Sequence, residues 1–500
     1  RIMIAGAGSG AGKSTISLGL MAALAGRGLD VRPFKSGPDY IDPGLHRAAC
    51  GRVSHNLDPW LMPEKEVRDL FRRHAPDRAS GLAVIEGAMG LFDGQGAGAF
   101  ASSAHAACLI DSPLLLVINA QGMGLSAAAL AGGFASFRPR QAPEAPSAPD
   151  LSALRVAGVI LNRVSGTRHA ALLRRVFAEH SSLPCLGCLP NNAVPPLPER
   201  HLGLTPATEL PHLAKHIAIL AGAIEEHIDL PALLALARSA TALPDNASEA
   251  QVPASFAGLR LGLAMDAAFS FYYRDGLDLL EEMGAELVPF SPLADGALPP
   301  GLHGLLLGGG FPEMFAQELA NNASMLNSLR AALEAGLPAY AECGGMLYLC
   351  ASLKATGLPG SSGSPGSPGA PTAGEERPMA AFFPQKARMT SALQPFGYVE
   401  LDLRRDCLLG RAGQRIRAHE FHYSLLENPD GGACGQGSGQ GAGHSPLYTA
   451  LRPDGRSWSG GLTRKNCVAW YPHLHFRGHP EAARSFLMAC DAFRHGLSTQ

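Results

Sequence analysis

Short runs that are apolar at every position recur along the first half of the chain, each followed by a stretch whose apolar residues repeat at helical spacing. Residues 2–5, 31–34, 82–85, 114–118, 156–161 and 185–189 are such runs. Strands without a polar face belong to a parallel sheet covered by helices on both sides, and the loops at their carboxyl ends build the site. A helix-like Ala/Leu run from Asp229 to about Ala240 gives way to a looser stretch holding Pro244, Asp245, Asn246, Ser248 and Pro253, which reads as a linker. Strand-like runs resume at 259–264, 302–307 and 337–341. The expected fold is therefore α/β with two domains, 1–240 and 257–500, joined by 241–256, each a largely parallel sheet flanked by helices.

Five hundred residues exceed one ordinary core, and 46% hydrophobic residues are enough to fill two. A net charge of −2 shows no bias toward nucleic acid or an anionic membrane, so a ligand has to be recognised by local groups. Ten cysteines in a chain this long read as reduced thiols of a cytoplasmic protein. The lone Cys185-x-x-Cys188 has no second pair at zinc spacing and reads as structural. The longest apolar stretches, such as 114–120, are too short to span a bilayer, which predicts a soluble protein. Opening on Arg1, the chain is expected to have had its original start removed or left out. Residues 138–149, 357–377 and 429–446 are rich in Gly, Ser, Pro or Ala and are expected to be mobile surface insertions.

The first strand runs into Gly6-Ala7-Gly8-Ser9-Gly10-Ala11-Gly12-Lys13-Ser14-Thr15, and a helical pattern follows at 16–25. Strand, glycine loop and helix in this order make a P-loop. Its backbone N–H groups, including those at Gly10 and Gly12, surround phosphates, Lys13 reaches the outer phosphates, and Ser14 or Thr15 holds magnesium. Ala7 stands where the motif starts with glycine, and Gly6 lies one place earlier, so the loop is expected to be one residue longer than usual. Gly6, Gly8 and Ala11 also fit the dinucleotide fingerprint, but that fingerprint needs an acidic residue ending the second strand. Lys35 stands there instead, which favours a nucleoside triphosphate.

Lys35-Ser36-Gly37-Pro38-Asp39-Tyr40-Ile41-Asp42-Pro43 sets one cation and two carboxylates on a loop framed by Gly and Pro, beside the expected triphosphate. Such carboxylates hold magnesium or orient a substrate, and Lys35 neutralises charge on a phosphoryl group in transfer. Glu86 ends the third strand, where P-loop enzymes keep a metal-binding acid, and Asp93 reads as shaping the turn.

In the second half, Tyr340-Ala341-Glu342-Cys343-Gly344-Gly345 joins an apolar run to a helix-like stretch at 346–353. This is how a sharp turn exposes a nucleophile, and the helix start favours a thiolate, so Cys343 is the leading candidate. Gly308-Gly309-Gly310 follow another strand, and their N–H groups, with that of Gly344, are placed to form an oxyanion hole. His419, His422, His473, His475 and His479 are available as bases. His419-Glu420-Phe421-His422 misses the H-E-x-x-H zinc pattern.

With segments 198–204, 268–273, 308–313, 419–424 and 471–476 added to these motifs, the chain resembles the cobyrinic acid a,c-diamide synthase family over nearly its whole length. The resemblance implies a dethiobiotin-synthetase-like P-loop domain followed by a class I glutamine amidotransferase domain. It implies that Cys343 attacks the glutamine side-chain amide with His473 as base. Many class I amidotransferases carry Pro-Glu after that histidine, whereas the second residue on here is His475, which leaves a Cys–His dyad. His479-Pro480-Glu481 is the rival base, although its position reads as a helix start. In the other domain ATP would phosphorylate the c and a acetate carboxylates of cobyrinic acid, and ammonia would then displace phosphate. Asp39, Asp42 and Glu86 would place the substrate carboxylate and Mg2+, with Ser14, Asp39 and Glu86 as metal ligands and Asn162 on the adenine. Tyr40 and the aromatic cluster 271–273 either face the macrocycle or fill a core. The implied partners are glutamine, ATP and a tetrapyrrole or corrinoid carboxylic acid, with no nucleic acid and no membrane, and a homodimer is left open. Hydrogenobyrinic acid, sirohydrochlorin and nickel-sirohydrochlorin are alternative substrates. A regulatory P-loop ATPase with a decayed amidotransferase domain is the reading from another class, and the intact cysteine turn argues against it.

Overall fold

The computed structural model describes residues 1–77, 79–139, 149–194, 199–200, 203–204, 212–243, 255–355, 374–428 and 446–497. Most of the expected insertions at 138–149, 357–377 and 429–446, and of the expected linker at 241–256, lies outside these residues. The chain divides into two compact units, Arg1–Glu249 and Ala250–Gln500. Among the described residues no helix is long and apolar enough to cross a membrane.

The first unit is built on a seven-stranded sheet in the order His55–Leu57, Asp30–Ser36, Gly81–Gly90, Ile2–Gly6, Leu114–Asn119, Val156–Val164, Cys185–Pro190. All six pairings are parallel, as strands without a polar face require. Ile2–Gly6 sits where the strand order reverses, so a crevice opens beyond its carboxyl end. The loop from Ala7 to Gly12 leads from that end into helix Lys13–Gly26. Glu86 lies on the neighbouring strand, its Cα paired with Ile4.

The second unit has a six-stranded sheet in the order Ala285–Phe290, Leu259–Ala264, Gly304–Leu307, Ala339–Glu342, Cys467–Trp470, Leu462–Arg464. Its first five strands are parallel and the last is antiparallel. The hydrophobic pattern predicts only parallel strands here, yet the structure adds a five-stranded antiparallel sheet. That sheet runs Ser457–Gly460, Tyr448–Leu451, Gly397–Leu403, Arg415–Glu420, His473–Leu474. Its strands bury alternate residues such as Val399, Leu401 and Leu403, so each carries only half the apolar signal of a parallel strand. The apolar run 346–353 reads as helix, but the helix spans Gly344–Leu349. Cys350 turns to extended backbone at ψ 169°, and Ser352–Lys354 pairs as a strand with Glu376–Pro378 and Lys386–Met389.

Leu116 lies on an interior strand of the first sheet and is fully buried. Leu116→Ala is expected to destabilise the first unit by about 2–5 kcal/mol, lost transfer energy plus a cavity. The denaturant midpoint of that unit is the measurement that checks it.

Candidate active site

Glu86 has no exposed surface, so a carboxylate here exists only with donors around it. Ser14 Oγ donates to Oε1 at 2.7 Å and Lys35 Nζ to the same oxygen at 3.0 Å. His46 Nε2 lies 2.9 Å from Oε2, and its Nδ1 is 2.9 Å from Ser54 Oγ. A carboxylate only accepts, so His46 donates from Nε2, and the Ser54 hydroxyl fixes the other side of the ring. Burial works against the charge of Glu86, but Lys35, His46 and Ser14 outweigh it and hold the carboxyl below its ordinary range. Lys35 also reaches Asp42 Oδ2 at 2.5 Å and Gly87 O at 3.2 Å. Burial opposes its charge too, yet Asp42, Glu86 and Asp39 keep it firmly protonated. Asp42 bears the strain of the cluster: burial, then Asp39 and Glu86, push its carboxyl up against the pull of Lys35.

Asp39 stands differently from Asp42. Its Oδ1 accepts from the backbone N–H of Ile41 at 2.7 Å and of Asp42 at 2.9 Å, at the start of helix Ile41–Cys50. Gly10 and Gly12 take positive φ, 73° and 97°, and a Cβ at Gly12 would lie 2.0 Å from Asn162 Nδ2. Asn162 donates to Ala11 O at 3.0 Å and so braces the phosphate loop itself. Lys13 is buried at the helix start, where burial and then Lys35 push its ammonium down while Glu86, Asp42 and Asp93 oppose. Thr15 follows on the same helix, and Asp93 accepts from Gly90 N at 2.9 Å, which closes the turn. Sequence reasoning missed His46. Its signal was spacing, since it falls four residues after Asp42 on one helix face.

In the second unit, strand Ala339–Glu342 ends in Cys343, whose φ of 44° and ψ of −103° are those of a strained turn. The residue is half-buried, so its sulfur is not sealed in packing. Cys343 N donates to Trp470 O at 2.8 Å and Gly345 N to Gly308 O at 3.0 Å, holding the turn against two neighbouring segments. Close approach explains the glycines. A Cβ at Gly345 would lie 2.1 Å from Leu307 O, one at Gly344 3.0 Å from Gly310 N, and one at Gly309 2.6 Å from His473 Cε1. The three proposed oxyanion glycines, Cys343 and His473 therefore meet in one place.

His473 is hydrogen-bonded to the Cys343 side chain, and its Nδ1 lies 3.3 Å from Glu342 Oε2. Burial alone would lower its basicity, but Cys343 and Glu342 raise it to about 10. Cys343 and His473, the expected dyad, thus have a carboxylate beside them, on the residue that precedes Cys343. Spacing after the histidine could not reveal it, because Glu342 comes from a different strand. His479 opens helix Pro480–Arg494, and its Nε2 lies 3.0 Å from Arg417 N, which ties the ring to strand Arg415–Glu420. His475 stacks on Tyr273 at 4.7 Å and is pushed down to about 4, chiefly by burial. Tyr273 is buried and Tyr272 half-buried, with Tyr272 Oη donating to Ala264 O at 2.6 Å and accepting from Gly308 N at 2.8 Å.

Removing the lysine that touches both Glu86 and Asp42 is the sharpest probe of the first cluster. Lys35→Ala strands two buried carboxylates and is expected to destabilise the first unit by about 3–5 kcal/mol at pH 7. Glu86, depressed in the folded wild type, gives stability that is present above its ordinary range and lost as pH falls. The orphaned carboxylates of the variant regain stability as they protonate, so the gap measured by urea unfolding should narrow toward pH 4.

A family model described as CobQ/CobB/MinD/ParA nucleotide binding domain matches residues 2–204, and one described as CobB/CobQ-like glutamine amidotransferase domain matches residues 260–481. Curated relatives match nearly end to end. The cobyrinate a,c-diamide synthase of Listeria innocua is 40% identical, covering 96% of this chain and 97% of its own. That of Caldanaerobacter subterraneus is 38% identical over 98% of both, and that of Salmonella typhimurium 39% over 97% of both. With two centres assembled in the order of these two domains, and likeness of this extent, the chain belongs to the cobyrinate a,c-diamide synthase family.

Proposed function

We propose that this chain is a cytoplasmic, glutamine-hydrolysing ligase that amidates the a and c acetate carboxylates of cobyrinic acid in cobalamin biosynthesis. The observation that carries the reading is one polypeptide holding both a phosphate loop with a buried Ser14–Glu86–Lys35 cluster and a strained Cys343 beside His473.

A carboxylate resists attack by ammonia because it is negative and its oxygen leaves poorly. Transfer of the γ-phosphoryl group from ATP to one carboxylate oxygen gives an acyl phosphate and ADP. Ammonia then adds at the acyl carbon and phosphate leaves with the C–O bonding pair, so each amide consumes one ATP. Gly10, Gly12 and Thr15 line the loop, Lys13 and Lys35 meet phosphoryl charge, Asn162 fixes the loop beside the nucleotide, and Asp39 and Asp42 orient the substrate carboxyl. For the magnesium that accompanies ATP, Ser14 Oγ and Glu86 Oε1 are hard oxygens 2.7 Å apart, the donor type this ion takes, with Asp39 as the third ligand. The ion would neutralise charge on the phosphates.

In the second unit the Cys343 sulfur attacks the side-chain carbonyl of glutamine, and the oxyanion so formed is met by the N–H groups of Gly309, Gly310 and Gly344. His473 carries the thiol proton to the departing nitrogen, which leaves as ammonia. Water then cleaves the thioester to glutamate.

Cys343→Ala is expected to abolish glutamine-dependent amidation while free ammonia still supports it, and Lys13→Ala to block both, as read by diamide formation. Product analysis with cobyrinic acid, hydrogenobyrinic acid, sirohydrochlorin and nickel-sirohydrochlorin identifies the macrocycle. No amide on any of the four would end the proposal.

A further inference from the structure

We propose that Glu342 is the positioning residue of the glutamine site, completing a Cys343–His473–Glu342 triad in which the carboxylate comes from the position just before the nucleophile. This deepens the reading of Cys343 as a glutamine-hydrolysing nucleophile and rests on it.

The direction of the hydrogen bonds carries the inference. Trp470 Nε1–H, which can only donate, lies 2.9 Å from Tyr340 Oη. Tyr340 Oη therefore accepts from the indole and spends its own hydrogen on Glu342 Oε1. Leu474 N–H donates to the same oxygen at 2.9 Å. Oε1 is thus filled by two donors, and Oε2 faces His473 Nδ1. A buried carboxylate oriented in this way takes the Nδ1 hydrogen, which leaves the other ring nitrogen to serve the Cys343 sulfur.

Strand geometry supplies the placement. Tyr340 and Glu342 are two residues apart on strand Ala339–Glu342 and share a face, while Cys343 turns away at positive φ. Glu342 pairs at Cα with Trp470, on the strand that leads into His473. The position two residues after the histidine cannot do this work, because His475 is buried against Tyr273 and uncharged at neutral pH.

Glu342→Gln tests the role with little change of shape, since its amide oxygen still accepts from Tyr340 and Leu474. Its NH2 then faces His473 Nδ1 and imposes the wrong tautomer. Glutaminase kcat is expected to fall by about 10²–10⁴-fold, the scale of an acid-to-amide change in a triad. The KM for glutamine should stay within about threefold. The alkaline limb of the kcat/KM profile should move to lower pH, because the imidazolium loses its carboxylate, and Glu342→Asp should restore the limb. Tyr340→Phe removes one donor to Oε1 and leaves the carboxylate to pair more strongly with the imidazolium, so it should move the limb by less and to higher pH, and it serves if Glu342→Gln does not fold. A variant that keeps wild-type kcat, or one that is slow with an unmoved limb, overturns the inference. Cys343→Ala run alongside separates the two levels: glutaminase surviving that change sinks the nucleophile itself, and glutaminase lost there but intact in Glu342→Gln sinks only the triad.

Discussion

A carboxylate shut away from water must be given hydrogen-bond donors by its neighbours, and each candidate site of this protein is arranged around one such group. Glu86 sits within the parallel strand Gly81–Gly90 with no exposed surface and collects Ser14, Lys35 and His46. Glu342 ends a parallel strand in the other unit and collects Tyr340, Leu474 N–H and His473. In a parallel sheet the backbone groups are consumed by the ladder, so the donors come from side chains and loops just past the strand ends. That is also where ligands reach such a sheet. The same desolvation that makes these acids costly to bury makes their interactions with the surrounding groups strong.

The two clusters use this differently. Around Glu86 the charges are crowded: Lys35, with Lys13 close by, serves three carboxylates, and Asp42 is left resisting ionisation. A site already short of positive charge is suited to a ligand that arrives with its own cation. Around Glu342 the chain of donors is linear and each direction is determined, which favours holding one imidazole in one orientation.

How much of this was legible in the letters depended on whether the signal was local. The glycine loop, Lys35, Glu86 and the Cys343 turn each lie within a few residues of a strand end, so spacing alone brought them out. His46 was missed because its partner is 40 residues away, and helix spacing from Asp42 was the only trace. Glu342 was in plain view beside Cys343, but its approach to His473 depends on strand Cys467–Trp470 lying next to Ala339–Glu342. The antiparallel layers escaped notice because strands that bury every second residue resemble polar loops when they are four to seven residues long. Asn162, expected on a base, also ties the phosphate loop to strand Val156–Val164, a bond that no local spacing announces.

The backbone at Cys343 occupies a region that a residue with a side chain adopts only at an energetic cost of about 1–3 kcal/mol. It is held there from outside, by Trp470 O and by the Gly308–Gly345 bond. The sulfur is therefore aimed only while the surrounding sheet is closed. Fraying of either strand lets the peptide relax and swings the thiol out of line, so a partly opened molecule falls silent toward its nitrogen donor before it comes apart.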